Sequence, residues 1–243
     1  MTGSFAAFRY MSFDVVGTLI DFERGLLDAL RAIASGHGAA LDEARALDLY
    51  RAARGAPDVG RFPDDLVRCY LRIAPALGLP AEAAPAERLR ASVADWRPFP
   101  DSVAALAELG ERFRLVAMTN AQRWAFEHFD NALGRPFHAS FTPDETGTEK
   151  PDPAFFRQVL AHVAAEGGRP DALLHVAQSQ YHDIGVSRAL GLSNCWIQRR
   201  SGKPGYGGTI APEADTVPDF HFTSMAGLAG AVAAEKPEEA QPV

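Results

Sequence analysis

Asp14 closes a short apolar run, Phe8-Arg9-Tyr10-Met11-Ser12-Phe13, and leads into Val15-Val16-Gly17-Thr18-Leu19-Ile20-Asp21. A run rich in aromatics and free of breakers reads as a buried strand, and Gly17 supplies the tight turn that leaves it. A carboxylate at the C-terminal end of a central parallel strand stands where open α/β sheets bind their ligands. It is also a candidate nucleophile. Three later segments carry compatible groups. Met118-Thr119-Asn120 ends an apolar run with a hydroxyl, an amide and the backbone N–H groups of a helix start, suited to an anionic oxygen. Lys150-Pro151-Asp152-Pro153 pins a lysine before prolines, and Ser179, Gln180 and Asp183 follow another apolar run. Each alone has a plain structural role: Thr119-Asn120 as a helix cap, Lys150 as a solvated loop charge, Asp183 as a first-turn acid. At successive strand ends of one sheet they read better as one catalytic set.

The elements that must position these groups follow from periodicity. After Asp21, placed to cap a helix, Leu26, Leu27, Leu30 and Ile33 recur at helical spacing. Segments 39–54, 63–77 and 81–95 are predicted helical, separated by a polar Gly/Pro-bearing link at 55–60, and none of this block alternates like a strand. An all-helical insert directly after the candidate nucleophile reads as a lid. Trp96-Arg97-Pro98-Phe99-Pro100 stops helix and marks a boundary. Beyond it strands at 113–118, 139–142, 173–177 and 194–197 alternate with helices at 101–112, 121–133, 153–166 and 180–190. That alternation predicts parallel strands with helical crossovers, a doubly wound α/β sheet. Phe220 to Phe222 is a candidate edge strand, Met225 to Ala234 a closing helix, and 235–243 a disordered tail. Trp124, Phe126 and Phe129 sit at helical spacing and read as core; His175 and His182 lack metal-site spacing and read as structural.

Bulk properties limit the function classes. The chain has 243 residues, 47% of them hydrophobic and 23% charged, as expected for one sizeable core with an insertion. A formal charge of -7 argues against a general nucleic-acid or anionic-membrane surface. The cysteines, Cys69 and Cys195, are far apart and point to free thiols in a reducing compartment. No run approaches a membrane span and the N-terminus lacks a signal-peptide pattern, so a cytoplasmic enzyme is expected.

With these segments in this order the chain resembles the haloacid dehalogenase superfamily over everything but its tail. The four motifs of that family are matched by Asp14 to Leu19, by Met118-Thr119-Asn120, by Lys150 to Pro153 and by Asp183. The resemblance implies a Rossmann-like core (1–20 and 98–234) with a helical cap (21–97) closing over the site. It implies that Asp14 is the nucleophile, that Thr119 and Lys150 orient it and offset charge, and that Asp183 lies close by. Phosphatases of the superfamily place an acid two residues after the nucleophile, where this chain has Val16, and a Mg²⁺-binding Asp where it has Gln178. Halide needs no acid to leave, so both departures favour the metal-free branch that acts on 2-haloacids and related C–heteroatom bonds. In that branch Asn120 would help bind the halide, Ser179 and Gln180 would support the site, and Asp183 would position or activate the hydrolytic water. Arg51 and Arg54 fall in the cap region that supplies a halide-binding arginine, with Arg54 the expected contact. Characterised members commonly carry Tyr at the places of Val16 and Phe156 and Asn at that of Gln180, which implies a different or larger acid. A homodimer is implied by the resemblance alone. The alternatives are a Mg²⁺-dependent phosphatase with an altered acid and a binding protein without turnover.

Overall fold

A computed structural model describes residues 4–235. Six strands form its sheet: β1 (Tyr10–Phe13), β2 (Arg114–Met118), β3 (Ala139–Phe141), β4 (Leu173–Ala177), β5 (Ser193–Ile197) and β6 (Phe220–Phe222). Their order is β3-β2-β1-β4-β5-β6 and every neighbouring pair is parallel. This is the doubly wound order whose direction reverses at the central strand, where a crevice opens at the carboxyl ends. All four residues of β1 are buried because both faces of the sheet are covered. Alternation then divides them. Tyr10 packs with Val116, Met118 and Phe155, whereas Met11 and Phe13 join the larger cluster on the other face. Phe13 is level with Ala117 of β2 and Val176 of β4, which sets the polar residues that follow these three strands side by side.

The insert after β1 comprises α1 (Phe22–Gly36), α2 (Glu43–Arg54), α3 (Leu66–Ile73) and α4 (Ala83–Ala91). Asp21 and Asp42 cap α1 and α2, accepting from the Arg24 and Arg45 N–H groups at 3.2 and 3.1 Å. Asp42 thus starts α2 later than apolar spacing alone suggests. The two connections to the sheet domain run together: Ile20 bridges Pro98 antiparallel, the Asp21 N–H donates to the Arg97 carbonyl and that of Phe99 to the Leu19 carbonyl, both at 2.9 Å. The return to the sheet is therefore a two-stranded hinge, with Trp96 packed onto α1 at Gly25.

The crossover helices are α5 (Ser102–Gly110), α6 (Arg123–Ala132), α7 (Pro143–Thr146), α8 (Pro153–Ala165), α9 (Gly185–Ala189) and the closing α10 (Met225–Ala234). The one-turn α7 was not anticipated, although Thr142 and Glu145 form a capping box whose Thr-x-x-Glu signature is plain in the chain. The helix after β4 opens as a π turn over Gln180–Ile184 before becoming α9. Such wide turns recur at functional sites, and this one carries Asp183. Phe126 and Phe129 are core residues as their spacing implied. Of the expected tail, 236–243 lies outside the described residues. Glu235, by contrast, is tied down: its carboxylate accepts from the Phe5 N–H at 2.8 Å and pairs with Arg112 at 3.6 Å. Among the described residues no helix is long and apolar enough to cross a membrane.

A Cβ on Gly25 would lie 2.5 Å from the indole of Trp96, a buried ring that fixes the hinge side of α1. Gly→Ala inside a helix ordinarily stabilises by about 1 kcal/mol. Gly25→Ala is expected to do the reverse, destabilising by about 1–3 kcal/mol through overpacking, which urea unfolding measures directly.

Candidate active site

Asp14 follows β1 and still belongs to its ladder, its N–H donating to the Val176 carbonyl at 3.0 Å. The chain then turns through Gly17, whose φ of +96 puts it in the left-handed region open to glycine. This turn folds Thr18 back over Asp14. The Thr18 hydroxyl donates to Asp14 Oδ2 at 2.7 Å and accepts the Gln178 N–H at 2.8 Å, so one side chain couples the loop after β1 to the end of β4. From below, Arg199 clamps the same loop, donating to the Thr18 carbonyl and to both oxygens of Asp101 at 2.9 Å. Neither Thr18 nor Arg199 was singled out from sequence; the family-like Gly-Thr-Leu triplet contained the first, and nothing local marks the second.

The other carboxyl oxygen, Asp14 Oδ1, takes the Lys150 ammonium at 2.8 Å. Lys150 also donates to Asp183 Oδ1 at 2.6 Å and to the Met118 carbonyl at 2.8 Å, using all three of its hydrogens. Its backbone is held by Asn120, whose amide donates to the Lys150 carbonyl at 2.7 Å and accepts the Lys150 N–H at 2.8 Å. The Asn120 side chain is thus a bracket for the lysine as well as part of the cavity wall. Thr119 is fully buried and its hydroxyl accepts the Ala121 N–H at 3.1 Å. The hydroxyl on the Asp14 carboxylate is that of Thr18, not Thr119, because the left-handed Gly17 brings the nearer residue into reach.

Asp183 is held from a second side. His175, on β4, lies 3.0 Å through Nε2 from Asp183 Oδ1, and its Nδ1 lies 2.9 Å from the hydroxyl of Ser12 on β1. A carboxylate only accepts, so Nε2 carries the proton and the Ser12 hydroxyl donates to Nδ1. Phe156 lies behind this pair, its ring edge-on to His175 at 5.3 Å. Asp183 Oδ2 is buried with no partner among the described residues. His175 therefore belongs to the site rather than to the scaffold alone. Its signal was the two-residue alternation along β4, which faces it toward Ser12 on the neighbouring strand.

Electrostatics separates the two carboxyl groups. Burial pushes Asp14 up; Lys150 opposes this, Asp183 adds to it, and the group stays above the ordinary aspartate range. Asp183 is equally buried, but Lys150 and the His175 hydrogen bond outweigh that and hold it at about 2. Burial works against the Lys150 ammonium, yet the two carboxylates more than restore it. The trio carries one net negative charge, with Asp183 the more firmly ionised partner.

Above these groups a cavity of about 450 Å³ opens between sheet and cap, a size ordinary for small-molecule sites. Asp14, Val16, Asn120, Lys150, Ser179 and Asp183 line its floor. Its roof is Phe22, Tyr50, Arg54 and Phe62 from the helical insert. Arg54 uses one nitrogen, Nη1, for the Gly60 carbonyl at 2.9 Å and for Asp65 Oδ2 at 2.6 Å; its Nε and Nη2 have no partner among the described residues. Arg51 is turned away, bonded to Asp48 and to the Gly207 carbonyl. Ser179 is committed to the π turn, its hydroxyl taking the His182 N–H at 3.0 Å. Gln180 does not reach the cavity: its carbonyl oxygen accepts the Thr216 N–H at 2.9 Å, anchoring the loop beyond β5. His182, read as structural from sequence, lines the cavity, and burial, with Lys150 and Arg54 nearby, lowers it to about 4, so it is neutral near pH 7.

A sequence profile described as haloacid dehalogenase-like hydrolase matches residues 8–184. The chain belongs to the haloacid dehalogenase-like hydrolases. No curated protein matches the sequence. Among solved structures, the L-2-haloacid dehalogenase PA0810 is similar at 25% identity and TM-score 0.74, over 94% of this chain and 100% of that one. The HAD-hydrolase YfnB from Bacillus subtilis, bound to magnesium, is similar at 18% identity and TM-score 0.73, over 93% and 99%. The L-2-haloacid dehalogenase from Xanthobacter autotrophicus, with chloropropionic acid covalently bound, is similar at 20% identity and TM-score 0.70, over 94% and 100%. The protein is thus a hydrolase with the dehalogenase fold.

Two outcomes follow from the geometry of this hydrolase. Thr18→Val removes a buried hydrogen bond to the Asp14 carboxylate, worth about 1.5–3 kcal/mol, and is expected to lower stability by about that much in urea unfolding. Asp14 takes up its proton above the ordinary value of about 3.9, so any activity that needs it ionised falls as pH drops through that raised pKa. Asp183→Asn removes the like charge and leaves Lys150 to Asp14, so Asp14 is expected to titrate at lower pH, with the acid limb of the activity profile moving the same way.

Proposed function

We propose that this hydrolase is a dehalogenase-like enzyme that uses Asp14 covalently on a small 2-substituted carboxylic acid, without a metal. The observation that carries the reading is the pairing of an oriented, desolvated Asp14 with Val16 where an acid would otherwise stand. A nucleophile is provided and position 16 carries no acid to protonate a leaving group, which suits one that departs as a stable anion. An Asp14 oxygen attacks Cα, the C–O bond of an ester forms, and the carbon–halogen bond breaks with its electron pair leaving on halide. Water then adds to the Asp14 carboxyl carbon, the 2-hydroxy acid departs and the carboxylate is regenerated. Lys150 and the Thr18 hydroxyl, one on each oxygen, hold Asp14 for the attack and stabilise the negative charge that develops there when water adds. Asp183, ionised and fixed by His175, is the group beside Asp14 for the proton of that water. Arg54 is the cap cation with donors free for the acid's carboxylate or the departing halide. The covalent chloropropionic acid complex of the Xanthobacter enzyme supports this course by analogy of fold.

The second reading, a phosphatase, requires Mg²⁺, which wants several hard oxygen ligands. The floor offers Asp14 and Asp183, already joined by one ammonium, and the neutral Gln178 in the remaining place, its carbonyl oxygen 3.4 Å from the Thr209 hydroxyl. This donor set does not fit the ion.

The test is halide release from a panel of 2-halo acids in EDTA. Release by the wild type, none by Asp14→Asn and a KM raised at least roughly tenfold in Arg54→Ala are expected, since an ionic hydrogen bond is worth about 1.5–3 kcal/mol. No release from any member, together with Mg²⁺-dependent release of phosphate from esters, would overturn the reading.

A further inference from the structure

At the opposite end of the strands from Asp14, three metal-ligating side chains converge. His138 precedes β3, while His162 and Glu166 lie four residues apart at the end of α8 and so share one helix face. His138 Nε2 is 2.7 Å and His162 Nε2 3.5 Å from Glu166 Oε1, and one donor atom from each residue lies within 4.8 Å of the others. Tetrahedral zinc with bonds of about 2.0–2.1 Å separates its ligand atoms by about 3.4 Å, so the present spacing needs only side-chain adjustment. Among the described residues no other group of three such ligands is assembled.

A second observation is independent of the spacing. Buried polar atoms are normally paired, yet His162 Nε2 is buried here without a hydrogen-bond partner among the described residues. Tyr10 is fully buried on β1 and its phenol faces Glu166. A buried imidazole nitrogen left unpaired beside a second imidazole and a carboxylate marks a place where something is left to be bound. We propose that His138, His162 and Glu166 form a binding site for a zinc-class divalent transition-metal ion, completed by water and supported by the Tyr10 hydroxyl on the outer oxygen of Glu166. Two imidazoles and one carboxylate are a zinc-type donor set rather than a magnesium one. A bound ion ties α8 to the edge of the sheet at β2 and β3, so its effect is on stability and not on the chemistry at Asp14.

Arg114 is the competing group. Its guanidinium contacts His138 and lies 3.3 Å from Glu166 Oε1, but its side chain is 42% exposed and free to swing into water. That competition gives the proposal a distinctive signature. The experiment is titration of the full chain with Zn²⁺ against a chromophoric chelator, with circular dichroism to confirm that each variant is folded. One equivalent is expected to bind and to raise Tm. His138→Ala and His162→Ala each weaken it at least roughly tenfold, since even an outer partner is worth that much. Arg114→Ala tightens it. An absence of saturable binding overturns the proposal. So does unchanged affinity in His162→Ala, which would place the ion on another histidine. Because the readout is metal uptake, it stands apart from the identity of the substrate.

Discussion

One ammonium group between two carboxylates organises this protein. Lys150 spends its three hydrogens on Asp14, Asp183 and a backbone carbonyl, in a space from which water is excluded. Burying charges is costly unless they are paired and hydrogen-bonded, so every element around the trio is bent to that task. Asn120 grips the lysine's backbone, Thr18 takes the far oxygen of Asp14, and a Ser12–His175 pair braces Asp183 from within the sheet. Loss of Thr18 or His175 leaves a buried carboxylate short of a donor, and loss of Asn120 or Ser12 loosens the group that supplies one. That is why residues of no chemical role of their own belong to the site.

The same network sorts the two acids into different roles. Asp183 has two donors on one oxygen and is kept ionised, whereas Asp14 shares the lysine with a like charge and is kept closer to neutrality. The two buried acids therefore differ in how readily each takes up a proton, with Asp183 the one whose charge is secure. The neutral His182 and the unpaired nitrogens of Arg54 then shape the space above Asp14.

The helical insert contributes by position. Its two connections are hydrogen-bonded to one another beside the loop that carries Thr18, so cap and nucleophile are hinged at one point. Arg54 reaches the cavity because α2 ends over it, and Arg51, one turn earlier, is drawn off by the Gly207 carbonyl. Sequence placed both arginines in the right region and favoured Arg54. The direction of the helix distinguishes them.

Much was legible in the chain alone. Apolar runs alternating with helical spacing specify a parallel sheet, because each pattern buries its surface in one way only, and strand ends in such a sheet must lie together. Asp14, Lys150 and Asp183 were therefore recognisable as partners before any distance was known, and the family resemblance put Val16 and Gln178 where its phosphatases place an acid and a metal-binding aspartate. Thr18, His175, Arg199 and the true bearing of Gln180 were decided by tertiary structure. Each depends on a contact between residues distant in sequence or on a single left-handed turn at Gly17. Hydrophobic periodicity records which face of an element is buried, and carries no record of which buried polar atom meets which. That pairing is settled when the chain closes and every desolvated charge must find its donor.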